Sequence, residues 1–190
     1  MRRSAFDKLI SWTGLALAAL LVVAGGLATW ASSFIGDQVE SQLVSQKIVM
    51  PEGEALKSLS DKDREALEPF AGSKLDSGDE AKAFADNYIL AHMNASSGNR
   101  TYEEVSGEFM ALSDEEKASE AGQQVAALRQ SLFMGNTLRG MLLNAYAFGT
   151  MGTIAGLAAI ASFVGAALLA VLALLGLRHA STKEAELATI

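Results

Sequence analysis

The sequence of 190 residues contains no cysteine, only two histidines and none of the common catalytic motifs. Without Cys there are no disulfides, thiolate metal sites or thiol nucleophiles. HExxH zinc motifs, Walker phosphate loops and GxSxG nucleophile elbows are also missing. We therefore expect a protein that is not an enzyme and that has no cofactor and no metal site.

Charge is missing from two long apolar runs, one from Trp12 to Trp30 and the other from Leu142 to Leu177. A helix needs about 20 apolar residues to cross the hydrocarbon core of a bilayer, and both runs are long enough. Ionisable groups inside spans are typical of pumps, channels and carriers, so their absence argues against transport by this chain alone. The sequence predicts two transmembrane helices with the lipid bilayer around them.

Charge is distributed unevenly along the rest of the chain. Between residues 35 and 141 there are ten Lys or Arg and nineteen Asp or Glu, whereas Arg2, Arg3 and Lys8 precede the first run and Arg178 follows the second. Basic residues next to spans stay preferentially on the cytoplasmic side. We predict a multi-pass plasma-membrane protein with both termini cytoplasmic and the central domain extracytoplasmic. The acidic domain argues against nucleic acid as a partner.

The first run has features of a membrane anchor and of a signal peptide. Trp12 and Trp30 are separated by about 27 Å of helix, which suits indole anchors at the two membrane interfaces, and Arg178 is a third predicted anchor. A signal peptide would be cleaved near small residues such as Ala28 and Ala31. The apolar run continues beyond them to Ile35, which favours an uncleaved span.

The fold class predicted is an all-α membrane protein, a two-helix transmembrane hairpin with an extracytoplasmic α-helical domain. No segment alternates with period two for long, so the outer domain is expected to be helical. Ser60, and the capping boxes Thr101 with Glu104 and Ser113 with Glu116, mark predicted helix starts. The predicted segments are a cytoplasmic N-terminus (1–11), transmembrane helix 1 (12–35), the outer domain (36–141), a juxtamembrane segment with transmembrane helix 2 (142–177) and a cytoplasmic tail (178–190). Inside the outer domain we expect a stalk helix (36–50), broken at Pro51, and helices at about 60–70, 79–94, 101–112 and 114–134, with Gly135 and Asn136 as an interruption.

The second span carries small residues that would allow another helix to approach closely. The predicted helix-packing residues are Gly152, Gly156, Ala158, Ser162, Ala166 and Ala170. Their simplest partner is the first span, although another subunit or a second copy would use the same surface. Gly and Ala are also common in spans without such a role.

Two sets of polar residues are candidates for a metal or ligand site. Asp76, Asp79 and Glu80 lack the ligand pattern of an EF-hand and are interpreted as a solvated helix start. His92 lies on the apolar side of its predicted helix, which favours a packed side chain over a ligand.

The chain resembles a set of small actinobacterial two-span membrane proteins of uncharacterised function. The resemblance lies in the segments from Phe6 to Ile48 and from Thr137 to His179. It implies a two-span envelope protein and supplies no functional residues.

Two functions are consistent with these patterns. The first is a non-enzymatic accessory or stabilising subunit of a larger membrane or cell-envelope complex, with other membrane subunits or a second copy as partners. It depends on the small-residue surface and on the apolar segment from Leu138 to Phe148. The alternative is an extracytoplasmic sensor or ligand-binding module, which would signal through a partner because the tail after Leu177 is short.

Overall fold

The computed structural model describes the backbone of residues 3–188 and the side chains of residues 4–182. This part of the chain is mainly helical, with short loops between the helices, and contains no β-strand. The helices are α1 (Arg3–Ser45), α2 (Glu54–Lys57), α3 (Asp61–Leu67), α4 (Gly78–Ala83), α5 (Leu90–Ser97), α6 (Tyr102–Ala111), α7 (Asp114–Ala118) and α8 (Glu120–Ala188). A 3₁₀ turn (Glu68–Phe70) follows α3, and a π-helical turn (Phe84–Ile89) joins α4 to α5.

The chain divides into two compact units. The helical-hairpin unit consists of the residues up to Gly36 together with those from Met151 onward, and the central unit comprises Asp37–Thr150. Helices α1 and α8 contribute to both units, and each is long and apolar enough to cross a membrane.

The central unit has a small apolar core. Its fully buried large side chains come from α3, α6, α8 and the loops between helices. They are Met50, Leu67, Leu75, Val105 and Leu132.

Five of the helix starts in the central unit, including that of α8, are capped by a side chain. Ser60, Thr101 and Ser113 accept the expected backbone N–H bonds, and the glutamates of the latter two boxes reach back to the cap, which confirms those predictions. Ser77 and Glu80 form a further capping box at the start of α4.

Glu80 is buried, so its interpretation as part of a solvated helix start was wrong. Its carboxylate accepts hydrogen bonds from the Ser73 hydroxyl at 2.6 Å, from the Asp76 and Ser77 backbone N–H groups at 3.0 Å each, and from the Ser77 hydroxyl. Burial alone would raise the pKa of Glu80, but these hydrogen bonds hold it below its ordinary value. The pKa of Asp76 is raised, first by burial and then by the charge of Glu80.

The predicted stalk helix is shorter in the structure than the sequence suggests. Helix α1 ends at Ser45, and Lys47 adopts a left-handed conformation with φ of 54°. Residues 48–50 are then extended and pair with the segment before α4, through hydrogen bonds such as Met50 N–H to Ser73 O at 2.8 Å. Pro51 disfavours helix at the residue before it, and this pairing satisfies the backbone groups instead.

The interruption predicted at Gly135 and Asn136 is absent, because α8 continues through both residues. The break lies earlier, at Ser119, which is extended and whose hydroxyl accepts a bond from the Gly122 N–H. Gly135 instead leaves room for Met93, whose side chain occupies the space that a Cβ at position 135 would need. This glycine therefore permits close packing against α8.

Candidate functional site

The two helices of the hairpin unit meet along a seam of small side chains that recurs every seven residues. A spacing of seven keeps residues on one face of a helix that coils around a partner. The seam residues on α1 are Ser4, Ser11, Ala18, Gly25 and Ser32, and those on α8 are Gly152, Ala159, Ala166, Ala173 and Ala180. All of them are buried except Ser32, which is partly buried.

Contacts across the seam show that the two helices run antiparallel and approach closely. A Cβ at Gly14 would lie 3.4 Å from the Ala173 Cβ, and one at Gly25 would lie 3.0 Å from the Phe163 ring. The Ser32 hydroxyl donates a hydrogen bond of 2.8 Å to the Gly152 carbonyl. Close approach and interhelical hydrogen bonds are the means by which helices associate in lipid.

The predicted helix-packing residues are distributed around α8 instead of forming one ridge. Gly152 and Ala166 are buried in the seam, while Gly156, Ser162 and Ala170 are partly buried. Ala158 is exposed. The predicted packing residues were chosen at a spacing of four, whereas the small residues of the seam are seven positions apart. Both spacings are present in the sequence.

Large apolar side chains cover the outside of the hairpin unit. Ile10, Leu20 and Leu27 on α1, and Ile154 and Leu168 on α8, each expose more than half of their surface. Small residues inside and large apolar residues outside reverse the usual arrangement of a water-soluble helical pair.

The predicted interface anchors also lie on the outside of this unit. Trp12 and Trp30 are exposed, and the Trp30 ring stacks on Phe34 with centroids 5.6 Å apart. Arg178 is exposed as well.

The central unit carries an exposed apolar stripe on α8, defined by Met134, Leu138, Met141 and Phe148. Their spacing of four, three and seven residues places them on one helical face. Arg139 and Leu142 face the other way, into the unit. The stripe falls largely within the segment that the sequence identified as apolar and aromatic.

The opposite face of α8 is tied to the π-helical turn. The Arg139 guanidinium donates to the Ala85 carbonyl at 3.0 Å and to the Asp86 carboxylate at 3.0 Å, and Lys82 also bonds Asp86. Burial would raise the pKa of Asp86, but Lys82 and Arg139 lower it below its ordinary value. No local sequence pattern predicts this turn, whose contacts with Arg139 come from a distant part of the chain.

A groove of about 420 Å³ lies between α5 and α8 in the central unit. Tyr88, His92, Met93 and Leu132 contribute to its walls, and the Tyr88 and His92 rings are 4.4 Å apart. His92 Nδ1 lies 2.7 Å from the Tyr88 carbonyl oxygen, so Nδ1 carries the proton of the neutral ring and Nε2 is an acceptor. The expectation that His92 is packed in an apolar environment was wrong, because its side chain is exposed at the groove.

Within residues 4–182, no three His, Asp or Glu side chains are grouped closely enough to hold a metal ion. No protein-family model, curated protein or solved structure matches the chain. The molecule is therefore interpreted from its own helices, seam and surfaces.

Proposed function

We propose that the chain is a two-pass membrane protein without catalytic activity, acting as an accessory or stabilising subunit of a larger membrane or cell-envelope complex. Both termini are cytoplasmic in this proposal, and the central unit is extracytoplasmic. The observation that carries it is the reversed distribution of side chains in the hairpin unit, with small residues inside and large apolar residues outside.

The reversed distribution favours a bilayer because exposed large apolar side chains are unfavourable in water. Burying each such side chain is worth about 1.5–3 kcal/mol, and the hairpin unit exposes many of them. The contacts of Gly25 and Ser32 with α8 also favour a retained first helix over a cleaved signal peptide. The orientation follows from Arg178 and the N-terminal basic residues.

The absence of native cysteine allows a direct topology experiment with single-cysteine variants. Ser58→Cys is exposed in the central unit, and Ser181→Cys is exposed after the second apolar run. A membrane-impermeant maleimide should label Ser58→Cys in intact cells, and Ser181→Cys only after permeabilisation. Release of the chain by alkaline carbonate, or labelling of both variants in intact cells, would contradict the proposal.

The apolar stripe supports the role as a subunit. Met134, Leu138, Met141 and Phe148 are exposed on a unit that has its own core elsewhere, and contiguous exposed apolar surface marks interaction sites. The stripe contains no charged residue, which is typical of the centre of an interface.

Purification of the full chain in mild detergent, with mass spectrometry of co-eluting proteins, tests this role. Met141→Glu should remove a stoichiometric partner, because it places a charge at the centre of the stripe. Met110→Glu is the matched control, since Met110 and Met141 are each 66% exposed but Met110 lies on α6. Recovery of the wild-type chain only as a monomer, or equal partner yields from both variants, would contradict the proposal.

The groove beside α5 favours one alternative, an extracytoplasmic ligand-binding module. Its volume lies within the range of about 300–1,000 Å³ that small-molecule sites occupy, and it offers apolar walls with one His acceptor. A panel of small aromatic and aliphatic alcohols and amides, each of which carries a hydrogen-bond donor, should then raise the melting temperature of the full chain but not of Tyr88→Ala. No shift with any member of the panel would remove this alternative.

A further inference from the structure

A second groove lies in the hairpin unit, between the N-terminal part of α1 and the C-terminal part of α8. It has a volume of about 390 Å³, and Ile10, Leu169 and Leu172 form its apolar walls. Gly14 and Gly176 also line it. An acyl chain is the kind of ligand that such an apolar cleft fits.

Ser11 lines this groove and has an unsatisfied hydroxyl group. Its side chain is only 4% exposed, and its Oγ occupies the space beside Gly176. Thr13, Thr29 and Ser162 each donate to the carbonyl four residues earlier, whereas Ser11 has no hydrogen-bond partner among the described residues. No fully enclosed polar side-chain atom in that part of the chain lacks a partner. The remaining exposure of the Ser11 oxygen is therefore toward the groove.

An unpaired hydroxyl in apolar surroundings is unfavourable. The cost disappears when a ligand supplies a hydrogen-bond acceptor. Phosphate and ester carbonyl oxygens of a lipid are acceptors of this kind.

The other end of the groove is polar, because Asp7 and His179 lie there. Asp7 has no ion-pair partner among residues 4–182. From Asp7 to Gly14 the helix rises about 10 Å, and Trp12, the predicted interface anchor, falls between them. The groove thus changes from polar to apolar over the depth at which a lipid headgroup gives way to its acyl chains.

We propose that this groove binds one amine-bearing phospholipid from the cytoplasmic leaflet, such as phosphatidylethanolamine. One acyl chain lies along Leu169 and Leu172, and the Ser11 hydroxyl donates to an ester carbonyl or phosphate oxygen. The ammonium group pairs with Asp7, while His179 faces the phosphate. The inference rests on the proposed membrane insertion and specifies a ligand for it.

A third transmembrane helix fits the groove less well than a lipid does. An apolar helix would cover Asp7 without supplying a positive partner, and a buried unpaired carboxylate is strongly unfavourable. A phospholipid leaves Asp7 at headgroup level and brings a cation to it.

Native mass spectrometry of the full chain tests the proposal. The chain is reconstituted in nanodiscs that contain equal amounts of phosphatidylethanolamine and phosphatidylglycerol with the same acyl chains. One bound lipid per chain is expected, with phosphatidylethanolamine enriched about fivefold, as for one partly exposed charge pair. Equal binding of both lipids, no retained lipid, or a co-purifying protein in place of the lipid would overturn the proposal.

Variants separate the headgroup contact from the acyl-chain contact. Asp7→Asn should abolish the preference for phosphatidylethanolamine and leave one lipid bound, and Ser11→Ala should lower total lipid retention severalfold. Gly14→Leu should remove the lipid by filling the groove. Gly165→Leu is the matched control, because a Cβ at Gly165 would lie 3.3 Å from Leu21, a contact as close as that at Gly14, but Gly165 does not line the groove. Equal lipid retention in the two Gly→Leu variants would contradict the assignment of the groove.

The outcome for the lipid and the outcome for the proposed function can be told apart. If carbonate extraction and cysteine labelling show a two-pass protein but lipid binding is unselective, only the lipid proposal fails. If the chain is released by carbonate, the membrane proposal fails first.

Discussion

Replacing Glu80 by alanine is expected to destabilise the central unit by about 3 kcal/mol, because one buried carboxylate holds the whole turn before α4. Four hydrogen bonds are lost, from the hydroxyls of Ser73 and Ser77 and from the backbone N–H groups of Asp76 and Ser77. Bonds to a charged group contribute about 1.5–3 kcal/mol each. Water reaches part of the vacated site and the four bonds are not independent, so the expected loss is well below their sum.

Thermal unfolding of the full chain in mild detergent, followed by circular dichroism, measures this effect. A loss of about 3 kcal/mol corresponds to a melting temperature lower by roughly 10–20 °C for a unit of this size. Glu104→Ala is the matched control, since Glu104 occupies the same position in an exposed capping box. The control should lower the melting temperature much less, because Glu104 is exposed. Equal losses in the two variants would refute the reasoning that burial makes Glu80 important.

The pH dependence gives an independent test of the same contact. The pKa of folded Glu80 is lowered, so its stabilising effect is present above the unfolded-state pKa of about 4.3 and is lost as the pH falls through the lowered folded-state pKa. The stability difference between wild type and Glu80→Gln should therefore be constant near pH 7 and shrink below about pH 4. A difference that persists at low pH would show that the charge of Glu80 is not responsible.

Three further predictions follow from contacts within single units. Arg139→Ala removes two hydrogen bonds to the π-helical turn and should cost about 2 kcal/mol in thermal unfolding. Arg64→Ala removes only an exposed ion pair with Asp61 and should cost under about 1 kcal/mol. Equal costs would contradict the structure. Asp76→Asn should raise the melting temperature at pH 7, because the pKa of Asp76 is raised in the folded state and its charged form therefore opposes folding. The increase in melting temperature should vanish once the pH is low enough to protonate Asp76 in the wild type. The double variant Gly14→Cys with Ala173→Cys should form a disulfide, since the two Cβ positions are 3.4 Å apart. The disulfide should change the migration of the chain on a gel, and reductant should reverse that change. If no such change is seen, the antiparallel register is contradicted.

Local signals in the sequence were sufficient for much of the helical pattern. The hydroxyl-x-x-Glu pattern identified the capping boxes at Thr101 and Ser113, because such caps depend on residues three positions apart. The same pattern at Ser77-Gly-Asp-Glu80 caps the helix predicted to begin at about residue 79. The prediction included neither this cap nor the burial of Glu80.

Features that depend on residues far apart in the chain could not be predicted from such local patterns. Gly135 was interpreted as a helix break because glycine has a low helix propensity, and only the position of Met93 reveals its role. The π-helical turn likewise depends on Arg139, more than fifty residues away. In the second apolar run nearly every residue is small or apolar, so small residues recur both every four and every seven positions. Contacts such as Gly14 with Ala173 were needed to decide between them.

The seam of the hairpin has a consequence for how the two helices find their alignment. Sliding one helix by seven residues would replace Ala166 with Ala159 or Ala173 and leave the seam almost unchanged, so the small residues favour several alignments nearly equally. The Phe163 ring over Gly25 breaks this degeneracy, because Ala18 and Ser32, seven residues to either side, have side chains that the ring would meet. The contact between the Phe163 ring and Gly25 therefore selects one register for two helices whose small residues repeat every seven positions.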